Sequence, residues 1–213
     1  MIIHWTWVLA ALVILVPPPI LSSELRKVVI SARRNATLNV ASLARPWQNW
    51  VDFGRGLIGT IILTQLAVVP DLATDSGPKT TLVHTAILSL TLLIQVFRWD
   101  GKVPQPEHRL QLLTPVFYLS GVTLGFNDLL IGGFAVAAGW TFAVAGKNPI
   151  FQMPTMAIGL AGAGYVFGLS LSLYCTLMLI SIPYLPAFAL RKRMVFVGAE
   201  KRWPQPVLKS EAA

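Results

Sequence analysis

LLTPVFYLSGVTLGFNDLLIGGFAVAAGWTFAVAG, residues 112–146, decides the architecture. It is 35 residues long, and Asn127 and Asp128 alone interrupt its apolar character. As one helix it would measure about 52 Å at 1.5 Å per residue, well beyond a hydrocarbon core of ~30 Å. It therefore reads as a hairpin turning at Asn127-Asp128, or as one span with a broken, re-entrant piece. The run from 155 to 190 poses the same choice between one tilted span and a tight pair.

The rest of the chain agrees with a lipid-immersed protein. Apolar residues make up 54% of the 213 and charged residues 12%, whereas a soluble domain carries about 25% charged. The mean hydropathy is +0.64. Three further apolar runs precede residue 112. The first, 2–21, contains Pro17, Pro18 and Pro19 and has no basic residue ahead of it. Arg26, Lys27, Arg33 and Arg34 follow it instead, the reverse of a cleaved leader. It reads as a retained anchor with the N-terminus outside. The runs 53–70 and 81–97, joined by the short polar loop 71–80, are a pair of antiparallel spans.

Net charge is +8, which fits basic cytoplasmic loops rather than nucleic-acid binding. The basic clusters at 24–55, 98–109 and 191–202 share one side only if 112–190 crosses an even number of times. The expectation is an all-α polytopic bundle of five or seven spans in the cytoplasmic membrane, with the C-terminus inside. Residues 24–52 carry a helical stripe (Leu25, Val28, Val29, Ala32) with Arg26, Lys27, Arg33 and Arg34 off it. Trp47 and Trp50 recur further on. This is the pattern of a basic amphipathic helix lying on an anionic leaflet. The basic tail, 191–213, contains Val195, Phe196, Val197 and Trp203 and reads as a docking segment rather than featureless coil.

Candidate sites fall into two groups. Small residues at i, i+4 permit close helix approach in lipid: Gly121 with Gly125, Gly164 with Gly168, Ala135 with Gly139, and Gly56 with Thr60. They read either as packing within this bundle or as a docking face for another subunit. Polar residues inside spans are functional candidates because burial in lipid is costly. His84, Thr91 and Gln95 share one face of the third span, with Gln65 as a candidate partner for His84. Asn127 and Asp128 are either turn residues or the lining of a cavity. Asp52 and Arg55, three apart, are expected to pair locally.

The chain has no Walker A, GxGxxG, HExxH or GxSxG sequence, each of which would carry a defined chemistry. One cysteine and three scattered histidines require no metal site, and no cofactor is called for, although bound lipid or pigment is compatible with the sequence. Asn35-Ala-Thr37 matches a glycosylation acceptor but falls on the expected cytoplasmic side. The leading expectation is a non-catalytic accessory subunit, its partners the bilayer and other membrane subunits. A transporter of a small solute, ion or lipid is the alternative, lined by His84, Thr91, Gln95, Asn127 and Asp128. An intramembrane enzyme with Asp128 as proton donor is the third.

Overall fold

The computed structural model describes residues 1–16, 29–31, 43–71, 77–97, 112–191 and 194–197. These are mostly helical. The helices are α1 (Trp5–Leu15), α2 (Trp47–Ile62), α3 (Gly77–Phe97), α4 (Val116–Phe126), α5 (Leu129–Ala145), α6 (Gln152–Phe167), α7 (Leu171–Ser181) and α8 (Tyr184–Ala189). A π-helical turn, Leu63–Ala67, extends α2. Five short strands tie the ends: β1 (Ile2–Ile3), β2 (Val29–Ser31), β3 (Val68–Val69), β4 (Leu112–Leu113) and β5 (Met194–Val197).

Contacts between helices fix their directions. β1 pairs antiparallel with β3, Ile2 opposite Val69, so the start of α1 and the end of α2 meet at one end of the bundle, the amino end. Gly59 of α2 lies under Leu15, which makes α1 and α2 antiparallel. α4 runs parallel to α2: Gly56 faces Tyr118 and Val122, while Gly125 faces Leu57 and Thr60. α5 returns along α4, with Gly132 against the Thr123 carbonyl and the Trp140 ring 4.7 Å from Phe117. α6 runs back along α5, Gly159 against Ala135 and Gly139 against Met156, and Gly164 meets Leu173 of α7. With α7 and α8 taken together, the described chain makes seven alternating passes.

Both long apolar runs are thus helix pairs. At the first turn Asn127 leaves helical geometry (φ −112°, ψ 168°), and its Nδ2 donates to the Thr123 carbonyl at 3.0 Å. That bond satisfies one of the acceptors a helix end leaves open. At the second, Gly168 takes φ +106°, a conformation that a Cβ disfavours. Two segments, Gly77–Phe97 and Leu171–Ala189, are long and apolar enough to cross a membrane.

The opposite, carboxyl end is closed by a three-stranded sheet. β5 lies between β2, antiparallel with Ile30 opposite Phe196, and β4, parallel with Leu112 opposite Met194. This corrects the amphipathic helix expected through 28–32: Val29–Ser31 is strand. Val29 and Ile30 are β-branched, which suits a pleated pairing better than a helix. Arg26, Lys27, Arg33 and Arg34 lie outside the described residues, as do Asn35, Thr37 and the tail beyond 197. The second span also starts earlier than expected. Pro46 precedes its first turn, and Trp47 and Trp50 belong to α2, both exposed.

α4 sits at the centre. Every residue from Thr114 to Thr123 is buried, because α2, α3, α5 and α7 surround this short helix.

Candidate functional site

A group of buried polar side chains among the described residues gathers around α4, while its outer neighbours turn large apolar side chains outward. On α3, His84, Thr91 and Gln95 share the buried face. His84 Nε2 lies 2.8 Å from the Val68 carbonyl, and its ring meets Phe126 edge-on at 6.3 Å. Gln65, the partner expected for His84, is exposed on the π-helical turn instead. That turn carries the Gln65 side chain away and presents the Val68 backbone in its place. Thr91 accepts a hydrogen bond from the Tyr118 hydroxyl at 3.0 Å.

A second cluster lies on the other side of α4. Ser120 Oγ accepts from Gln152 Nε2 at 3.0 Å and from Trp140 Nε1 at 3.2 Å, and donates to the Val116 carbonyl. Nearer the amino end, Asn127 Nδ2 also donates to Thr176 Oγ1 at 2.8 Å, tying α4 to α7.

Several buried polar atoms in this seam have no partner: both amide atoms of Gln95, Gln152 Oε1, Asn127 Oδ1, and the hydroxyls of Thr60, Thr114 and Thr123. Gln95 is fully buried. A polar atom left unmatched in an interior costs about 1–3 kcal/mol, so seven of them around one helix are a concentration that packing alone does not favour.

The carboxyl end of the seam holds the charged pair. Arg55 Nη1 donates to Asp52 Oδ1 at 2.6 Å, with both side chains about 10% exposed. Arg55 Nε and Nη2 donate to the Ile14 and Leu15 carbonyls, each at 2.8 Å, so the guanidinium closes the end of α1. Asn49 Nδ2 donates to the Leu43 carbonyl. A cavity of about 10 Å³, close to the size of one water, is lined by Asn49, Asp52, Thr114 and Tyr118 among others.

The residues singled out from sequence are distributed as follows. Gly121, Gly125, Ala135, Gly139 and Gly164 are covered by this chain's own helices, and a Cβ added at Gly168 would meet open space. Asp128 is exposed at the α4–α5 turn and precedes α5 without a side-chain capping bond. Trp50 Nε1 donates to the Ala44 carbonyl at 2.8 Å, and its ring stands edge-on to Phe53 and Phe117. Among the described residues, no group of three His, Cys, Asp or Glu side chains could hold a metal ion.

The chain matches no protein-family model, no curated protein and no solved structure.

Sequence reading missed Asn49, Tyr118, Ser120 and Gln152. Gln152 sits in 147–154, which looks like a connector until α6 is seen to start there. A hydroxyl or amide inside an apolar run, at any spacing, was the signal available for the others.

Proposed function

We propose that the chain is an integral membrane protein that passes a small, hydrogen-bonding solute along the polar side chains around α4. The distribution of side chains supports the membrane placement. Leu82, Leu90, Phe134, Phe142 and Ile158 are all more than half exposed, while Thr91, Gln95, Ser120, Thr123 and Gln152 are fully buried. Exposed apolar surface of this extent fits lipid far better than water. The sequence on either side of β2 and β5, and that preceding β4, is basic, whereas the stretch 63–81 around the amino-end connection of α2 to α3 carries a single Lys or Arg, Lys79. By the positive-inside tendency, the carboxyl end faces the cytoplasm and the amino end faces outward.

Gln95 carries the functional reading. An amide with neither atom matched, inside an apolar bundle, is available to an incoming donor and acceptor. The unmatched atoms are amides and hydroxyls, and the buried charges, Asp52 and Arg55, are paired. This favours a neutral solute over an ion. Gly121, Gly125, Gly139 and Gly164 pack against this chain's own helices, which removes one motive for the accessory-subunit reading, while Gly133, Gly162 and Gly168 face open space.

The test uses urea and glycerol as probe solutes in proteoliposomes followed by light scattering. The protein should speed shrinkage recovery above that of empty vesicles for at least one of them. Gln95→Leu should remove that increment and yet raise the melting temperature, because it deletes two unmatched polar atoms worth about 1–3 kcal/mol each. Recovery no faster than empty vesicles with either probe, or full permeability in Gln95→Leu, refutes the proposal.

A further inference from the structure

The α4–α5 turn is set deep relative to the helices beside it. Phe126 stacks edge-on against His84, which itself reaches the Val68 carbonyl. α3 begins at Gly77, seven residues before His84. Its first turns therefore extend about 10 Å beyond the level of Phe126. On the other flank Gly125 is level with Thr60, and α2 with its π-helical turn continues to Ala67. Across from Asn127 stands Thr176, five residues inside the start of α7 at Leu171. α2, α3 and α7 all rise past Asn127 and Asp128 toward the amino end.

A carboxylate at that depth needs water. Asp128 is exposed rather than paired inside the bundle. Asn127 presents Oδ1 with no partner one residue away, and Thr123 Oγ1 is unmatched one turn below. An ionised side chain facing hydrocarbon there would be strongly disfavoured. A water-filled recess removes the conflict.

We infer that the short α4–α5 hairpin leaves an aqueous recess on the amino end, floored by Asn127 and Asp128, through which water and a neutral hydrogen-bonding solute reach the seam. This rests on the membrane placement proposed above.

Depth-matched cysteines test it. Leu82 on α3 and Ile61 on α2 stand level with the turn and are exposed on the outer faces. Cys175, which is buried, is first replaced by alanine. In proteoliposomes, Asp128→Cys should react with a charged, water-soluble maleimide roughly ten-fold or more faster than Leu82→Cys or Ile61→Cys, which lipid should shield. Should Asp128→Cys fail to fold, the unsubstituted protein gives the same answer: a water-soluble carbodiimide with glycine ethyl ester should amidate Asp128, read by mass spectrometry. If position 128 is as unreactive as 82 and 61, there is no recess. Equal, rapid reaction at all three also overturns it, since a bilayer thinned around the whole protein would give that result. Flotation with liposomes after alkaline washing separates the two readings: a protein that does not float refutes the membrane placement itself.

Discussion

Gly121→Ala is expected to prevent stable folding. A Cβ at Gly121 would run into the Phe53 carbonyl and come within 2.7 Å of the Leu57 backbone nitrogen. Neither is the tip of a movable side chain; both belong to the α2 backbone. α2 and α4 would have to separate, and α4 is the helix against which α2, α3, α5 and α7 all pack. Loss of more than about 4 kcal/mol is the scale reserved for such core disruption. Gly56→Ala, which meets the Tyr118 carbonyl from the other side, should do the same. Gly54, Gly133 and Gly162 lie in helices with open space where an alanine methyl would stand. Alanine there should be neutral or stabilise by about 0.5–1 kcal/mol. The measurement is the yield of monodisperse protein in mild detergent and its thermal melt. A Gly121→Ala protein that melts with the Gly133→Ala control would mean that α2 and α4 are not in backbone contact.

Arg55→Met should cost about 3–5 kcal/mol, the range found when one member of a buried ion pair is removed. Two losses coincide. Asp52 loses the Arg55 donor, and the Ile14 and Leu15 carbonyls lose the donors that close α1. The double substitution Asp52→Asn/Arg55→Met separates these effects. It removes the carboxylate charge that Arg55 faced and leaves the open carbonyls, so it should regain part of the lost stability without reaching the parent. Arg55→Lys is no substitute, because an ammonium cannot present the flat array of donors that reaches Asp52 and both carbonyls together. Thermal melts of the three variants decide the matter. A double variant no better than Arg55→Met would show that the Asp52 charge is not what the arginine offsets.

The helical passes were legible because apolar runs in this chain are long and their polar breaks are few. Asn127-Asp128 marks a turn by itself, and the excess of basic residues on alternate connections limited the number of passes to an odd one. The strands were not legible. Val29–Ser31 and Met194–Val197 are too short for a period of two to show, and Val28 and Val29 also fit a helical stripe. What makes them strands is each other, across nearly the whole length of the helical region. For the polar seam, the spacing of His84, Thr91 and Gln95 put them on one face of α3, but nothing in that spacing says what the face meets. Glycines gave the converse case. Gly121 and Gly125 announce close approach of a second helix, and only the folded chain identifies it as α2, since a spacing of four describes one surface and not its complement.

The three-stranded sheet carries a consequence for biogenesis. β5 is its middle strand, and it emerges from the ribosome after all seven passes. β2 and β4 do not pair with each other, so each must wait for β5 while the later helices are added. Closure of the carboxyl end of the bundle is therefore the last assembly step. A chain halted before Met194 should keep its helices yet leave that end open to proteases.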